Sequence, residues 1–305
     1  MAFLNKAIKK MFMTGSYFTI AVRKKESANI LGDEVFHSCC TLPADSGEWC
    51  ADPMLVENDG RTFLFYEAVT GTLGRIEVRE LLADCTVSSP TIVLCGDGHY
   101  SYPFVFCNNG EWFMIPETSD REKVSLYRSV EFPYKWEEAE TLLVGRFVDT
   151  TVFRCKGSWV LLTFETSLQT ECVIPKAFRV CFGSNGAQLE PLKWMEYDPL
   201  RVRGAGPVFS IGEALIRPVQ ISTEHRYGDA VAFHKVSIDG LRYSETECGM
   251  LTPDRIRCGK VYADGLHTYS TNSRFEAIDV RCRDFDLLKP IKKTARILFK
   301  DLKVR

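Results

Sequence analysis

Short apolar runs recur in pairs along the chain, each pair joined by a turn and closed by a carboxylate or an amide. The clearest pair spans 101–117, where SYPFVF and EWFMIPE flank CNNG. The same layout occurs at 52–67 (DPMLVENDGRTFLFYE) and 149–165 (DTTVFRCKGSWVLLTFE), and more loosely at 206–220 (GPVFSIGEALIRPVQ). Runs of this length, rich in Val, Ile, Phe and Tyr, predict strands. Asn58-Asp59-Gly60, Asn108-Asn109-Gly110 and Lys156-Gly157 predict hairpin turns, because Gly and Asn accept positive φ. The pairs begin at 52, 102, 149 and 206, a spacing of about 50 residues, which is the size of one β-propeller blade. Third strands follow as alternating runs (GRIEVREL, VSLYRSV, AFRVCFG, DAVAFHKVSI), and TIVLC and TLLVG supply fourth strands. A less regular fifth repeat is built from YADGLHTYS and RFEAIDVRC, and it needs the N-terminal TIAVRKK strand to seal the ring. The pattern predicts an all-β, five-bladed β-propeller over 48–288. An N-terminal extension and entry segment (1–47) precedes it and a basic tail (289–305) follows.

Blade geometry turns this repeat into a site. The first strand of each blade lines the central channel, and the second returns antiparallel to the face where the first began. Asp52, Tyr102, Asp149 and Gly206 therefore share one mouth of the channel, and Glu67, Glu117, Glu165 and Gln220 return to it. A single Asp-Pro reads as a turn device and a single Glu as a solvated strand end. Recurrence at equivalent positions favours a pocket, since a purely structural role needs no carboxylate. Ser101 and Tyr102 stand at this mouth, and Trp49 and Tyr100 lie beside it as aromatic faces suited to sugar rings or to core packing. Arg203 and Arg217 flank the fourth repeat, as phosphate or carboxylate clamps or as partners of a neighbouring Glu.

Charge adds a second theme. The net charge is only −2, but residues 1–25 carry six basic residues and no acid, and 289–305 carry seven against Asp301. The body between them is therefore acidic, which argues against nucleic acid as a partner. Phe3, Leu4, Ala7, Ile8 and Met11 fall at helical spacing among lysines. That is either a helix on the propeller flank or a peripheral anchor on an anionic membrane surface. The twelve cysteines form no C-x-x-C pair, which reads as reduced core filler and a cytoplasmic setting. No P-loop, dinucleotide fingerprint or zinc-protease motif is present, so no cofactor or metal is expected from motifs.

The segments ADPMLVENDG (51–60), SYPFVFCNNGEWFMIPE (101–117), VSLYRSVEFPYKWE (124–137), VDTTVF (148–153), RPVQ (217–220) with the following YG, and GLHTYS (265–270) carry a resemblance. Over roughly 48–282 the chain resembles the N-terminal domain of the plant glucosamine inositolphosphorylceramide transferases and its stand-alone bacterial relatives. That domain in turn is similar to the five-bladed propeller of family-43-type glycoside hydrolases. The resemblance implies Asp52 as general base and Asp149 as the residue that orients and tunes the acid. The acid itself, a fourth-blade Glu just before Gly-Pro, is missing: the chain reads Arg203-Gly204-Ala205-Gly206-Pro207. Inverting hydrolysis needs both an acid and a base. So either Glu117 or Glu67 supplies the proton from the same mouth, or the leaving group is a phosphate or nucleotide that needs none. The resemblance also places His267 where a central ion or water is held; the bland alternative is a hydrogen-bonded core histidine. The expected function is a carbohydrate-active enzyme moving a glycosyl group, with a sugar, glycan or nucleotide sugar as partner. The alternatives are an inverting glycosidase with Asp52 as base and Glu117 as acid, and a non-catalytic glycan-binding module.

Overall fold

A computed structural model of the chain describes residues 17–25, 30–32, 34–42, 48–167, 173–183, 186–223, 226–259 and 263–282. The helical pattern expected at 3–11 and the basic tail 289–305, and with them the membrane-anchor expectation, lie outside the described residues. Of the N-terminal basic residues, Arg23, Lys24 and Lys25 are described, and Arg23 is buried against Glu276 at 2.5 Å. The described residues are all-β, with 3-10 turns at Ser119–Arg121 and Pro253–Arg255 and no α-helix. No helix among them is long and apolar enough to cross a membrane.

The chain opens with β1 (Tyr17–Lys24), β2 (Phe36–His37) and β3 (Cys40–Thr41). A first meander follows, of β4 (Glu48–Asn58), β5 (Arg61–Thr70), β6 (Leu73–Leu81) and β7 (Thr91–Leu94). The second is β8 (Ser101–Asn108), β9 (Glu111–Glu117), β10 (Lys123–Glu131) and β11 (Lys135–Val144). The third comprises β12 (Phe147–Cys155), β13 (Ser158–Thr166), β14 (Val173–Gly183) and β15 (Gly186–Trp194). The fourth has β16 (Phe209–Ile211), β17 (Ala214–Thr223), β18 (Arg226–Asp239) and β19 (Arg242–Leu251). It joins the third edge to edge through a short parallel pairing of β15 with β19. After β20 (Ile256–Arg257), β21 (Ala263–Gly265) and β22 (Tyr269–Thr271) both pair with β23 (Phe275–Cys282). The expected closure is present: β1 pairs antiparallel with β23 along its whole length, from Tyr17↔Cys282 to Lys24↔Phe275. The hairpin turns lie where the sequence places them, with Asp59, Asn109 and Lys156 at positive φ, each followed by a positive-φ glycine.

Apolar clusters fill the spaces between neighbouring sheets. Met54, Phe63 and Phe65 of the first meander meet Tyr102, Met114 and Tyr127 of the second. Phe104, Ile115 and Leu126 of the second meet Val152 and Leu161 of the third. Burial of such side chains contributes roughly 1.5–3 kcal/mol each.

One buried ion pair sits in the fourth meander. Arg217 is 1% exposed, and its Nε and Nη2 donate to Glu245 at 2.5 and 2.8 Å, while Nη1 donates to the Val202 carbonyl at 3.0 Å. Burial alone would raise the Glu245 carboxyl, but Arg217, His234 and Tyr243 outweigh it and hold it down at about 2. The clamp expected of Arg217 is therefore corrected: its fork is spent on Glu245. Cysteine chemistry is corrected too. Cys39 and Cys85 form a disulfide, where the sequence predicts reduced thiols. The two stand 46 positions apart with no motif linking them, and only folding brings their Cα atoms within bridging range.

Candidate active site

Three inner strands share one backbone device. Asp52, Tyr102 and Asp149 have φ of 52°, 44° and 53°, and each sits at a register shift, between Ala51 and Met54, Ser101 and Phe104, and Val148 and Thr151. A bulge with a left-handed residue re-aims one side chain out of the regular alternation. Aspartate tolerates that conformation better than most residues, whereas tyrosine does so at a cost. Tyr102 gains compensation, since its hydroxyl accepts the Gly206 N–H at 2.8 Å and its own N–H donates to Asp52 Oδ2 at 3.1 Å.

The bulges open onto a cavity of about 230 Å³ lined by Phe18, Trp49, Asp52, Glu67, His99, Ser101, Glu117, Val148, Asp149, Arg203, Tyr227 and His267. Of the residues expected at the mouth, Asp52, Glu67, Ser101, Glu117, Asp149, Arg203 and His267 are thus brought together. Tyr102, Glu165, Arg217 and Gln220 are not among the lining residues. Tyr102 is buried beside Asp52 and Gly206 instead. Glu165 fails by register. Ala51 pairs with Glu67 and Ser101 with Glu117, but Val148 pairs with Phe164. Glu165 is one residue off, and a slip of one sends a strand side chain to the other face; it pairs there with Lys176 at 3.0 Å. In the fourth repeat Gly204 bridges Val219, and the Gln220 amide donates instead to Ser222 Oγ at 2.8 Å.

Asp52 is held on both of its carboxylate oxygens. Its Oδ1 accepts Thr268 Oγ1–H at 2.9 Å and lies 3.3 Å from His267 Nε2. Behind it, Asp279 Oδ1 accepts the N–H groups of His267 and Thr268 at 2.8 and 2.9 Å, and Oδ2 accepts the Asp52 N–H at 3.2 Å. Asp279 Oδ2 is also 2.9 Å from His267 Nδ1. Burial alone would raise Asp52, but the His267 hydrogen bond and charge, with Thr268 and Tyr102, outweigh it and hold the carboxyl below the usual range. His267 is disfavoured as a cation by burial, yet Asp279 and Asp52 keep it raised well above an ordinary imidazole. The donor atoms of Asp52, His267 and Asp279 lie within 4.8 Å of one another. Both ring nitrogens already face carboxylates, however, so the trio fits an imidazolium held between two anions and would have to rearrange to admit an ion.

Glu117 has the opposite character. Burial, followed by the nearby Asp149 charge, pushes its carboxyl up to about 8, so it is mostly protonated at neutral pH and a proton donor. Its Oε2 accepts the Asp149 N–H at 3.3 Å, which fixes it beside that residue. Asp149 in turn grips Arg203 through both arms, Nε–Oδ2 at 2.7 Å and Nη2–Oδ1 at 2.9 Å. Burial raises the Asp149 carboxyl, and the Arg203 charge opposes that shift. Glu67, raised by burial against the lowering effect of His99, sits 2.9 Å from His99 Nε2. The fourth-repeat position of the missing acid is closed to any replacement: Ala205 is 0% exposed within an apolar cluster of Ile216, Phe233 and Tyr269. Arg203 is thus engaged with Asp149 and not free as a clamp.

The sequence pattern missed His99 and Asp279. His99 lies in the linker before β8, at no repeated offset. Asp279 is one of three charged residues in β23, with Glu276 and Arg281, in a strand whose every residue is buried, so its spelling alone does not single it out.

The family profile described as "Glucosamine inositolphosphorylceramide transferase 1, N-terminal" matches residues 20–269. The chain belongs to this family. Glucosamine inositolphosphorylceramide transferase 1 of Oryza sativa subsp. indica is 29% identical over 210 residues, covering 65% of this chain and 28% of the rice protein. Its Arabidopsis thaliana namesake is 32% identical over 131 residues, 40% of this chain and 17% of that protein. The chain therefore spans less than a third of the length of these relatives. Among solved structures, the α-L-arabinofuranosidase PaAbf62A of Podospora anserina superposes with a TM-score of 0.55 at 12% identity, covering 78% of this chain and 91% of that one. At that identity the likeness concerns the fold, which the family shares with propeller-type glycoside hydrolases.

Proposed function

We propose that the chain is a carbohydrate-active enzyme on a five-bladed propeller, transferring a glycosyl group to an acceptor hydroxyl in surface-glycan or glycolipid metabolism. The sugar sits in the 230 Å³ pocket. One observation carries this reading: the pocket holds a carboxylate kept ionised (Asp52) and a carboxylic acid kept protonated (Glu117). That division is what general base and general acid at a glycosidic centre require. Asp52 takes the proton of the incoming hydroxyl, and Glu117 gives one to the departing oxygen. Trp49 and Phe18 offer aromatic faces to the ring. Because Asp149 occupies Arg203, the leaving group is served by a proton rather than by a guanidinium clamp. The family likeness supports the glycolipid setting. Hydrolysis by the same pair, with water as acceptor, is the second reading, and the Asp52–Glu117 split favours it equally.

The pH profile follows from the same two groups. Activity should be flat from below the usual carboxylate range, where Asp52 is already ionised, up to about 8, and should fall as Glu117 loses its proton. Glu117→Gln should remove that alkaline limb along with most of the rate. A thermal-shift panel of nucleotide sugars, free sugars and oligosaccharides tests the binding site. A ligand at about 100 times its Kd adds about 2.7 kcal/mol to stability, and Trp49→Ala should abolish the shift. A shift that survives Trp49→Ala, or no shift with any saccharide, removes the pocket from consideration. Product analysis with the positive ligand then separates transfer from hydrolysis.

A further inference from the structure

The sheet that closes the ring and the first meander meet along one seam. Ile20, Val22, Leu42, Phe275 and Ala277 on the closing side pack against Leu55, Leu64, Tyr66 and Leu81 on the other. At the inner end of that seam lie the contacts that build the site, from Thr268, His267 and Asp279 to Asp52. The Leu55 N–H also donates to Ser270 Oγ across it at 2.9 Å. At the outer edge Cys39, just before β3, is bonded to Cys85 in the turn after β6, with Cα atoms 6.1 Å apart. β3 pairs with β1 through two residue pairs, Ala21↔Thr41 and Val22↔Cys40, flanked by hydrogen bonds from the Cys39 and Leu42 N–H groups to the Val22 and Ile20 carbonyls. β1 itself carries Phe18 into the pocket.

We propose that the Cys39–Cys85 disulfide is a redox-sensitive latch on this seam, whose reduction loosens β1 and β3 and with them the contacts that hold Asp52. The inference is independent of the glycosyl-transfer reading. Its chemistry needs a dithiol as reductant. Cys39 is exposed and Cys85 is 3% exposed, so a thiolate attacks the Cys39 sulfur and Cys85 leaves as a thiolate. The second thiol of the reductant then displaces Cys39. Two protein thiols and one cyclic disulfide result, with the two protons of the dithiol passing to the two cysteines. Cys40, adjacent to the bridge, is a poor competitor for exchange because burial raises its thiol. Opening the bridge releases a loop of 46 residues, and a cross-link of that span restrains the opened chain strongly.

The test is hydrogen exchange by mass spectrometry on the full chain, oxidised and treated with dithiothreitol, with peptide mapping of the bridge. Mapping should find 39 linked to 85. On reduction, exchange at 17–24, 40–41 and 266–270 should rise about tenfold or more, while 158–166 in the third meander stays unchanged. The melting temperature should fall by about 5–10 °C. Cys39→Ser/Cys85→Ser should show the reduced behaviour without reductant and respond to it no further. If that variant does not fold, a reductant titration of the folded wild type decides alone. Free thiols at both positions in the oxidised protein, unchanged protection, or a rise spread evenly over all sheets would each overturn the latch.

Discussion

Asp52→Asn is expected to lower the rate of glycosyl transfer by about 10²–10⁴-fold, the range typical of a lost general base, with little change in melting temperature. The separation of the two effects follows from the backbone. Asparagine is one of the few residues at ease with a φ near 52°, so the bulge survives. Its amide oxygen can keep the Tyr102 N–H now bound to Oδ2, and its NH₂ can face Thr268 Oγ1 and a neutral His267 Nε2 in place of Oδ1. What disappears is the negative charge. His267 then loses one of the two carboxylates that keep it cationic, so its proton should titrate at lower pH than in the wild type. Paired measurements of turnover and of the His267 ring shifts by NMR check both. Wild-type turnover in Asp52→Asn would falsify the assignment of the base.

Gly206→Ala should cost about 3 kcal/mol or more in unfolding free energy, or leave the chain insoluble. A β-carbon there would stand 2.0 Å from the Tyr269 carbonyl oxygen and 3.0 Å from its carbonyl carbon, at a φ of +122° that side chains avoid. The obstruction is backbone, and it cannot swing aside, because the Tyr269 N–H donates to the Ala205 carbonyl at 2.7 Å. Gly60→Ala is the control. It has positive φ but nothing within 4 Å of the added carbon, and should cost only about 1 kcal/mol. Urea titrations of the two variants give the comparison directly, and equal losses would show that backbone conformation rather than close approach sets the penalty.

Much of this architecture is legible in the chain because its signals are local. The pairing of apolar runs around Asn-Asp-Gly and Asn-Asn-Gly fixes hairpins, and hairpins in tandem fix meanders. The mouth is legible too, as far as the repeat keeps its register: Asp52, Glu67, Glu117 and Asp149 all arrive where their spacing puts them. The failures are failures of phase and of partnership. In sequence Glu165 closes its apolar run as Glu117 does, but the third repeat pairs Phe164 where the second pairs Glu117, and nothing in the spelling of TFE reveals that. Arg217 and Arg203 look alike in sequence; only the fold shows that Glu245 takes one and Asp149 the other. Asp279 and Cys39 are long-range facts, set by which strands meet across the ring.

The pairing of β1 with β23 also shapes how the protein is made. Asp52 and the Thr268 hydroxyl that supports it are 216 residues apart in sequence. On the ribosome the middle meanders can form as they emerge, each from local hairpins. β1 must wait with an open edge until β23 has been synthesised. During that interval Asp52 has neither His267 nor the Thr268 hydroxyl beside it, so an incomplete nascent chain lacks the contacts that hold this carboxylate. Asp52 gains its support only once β23 is in place, and until then the edge of β1 that β23 covers is open to wrong partners.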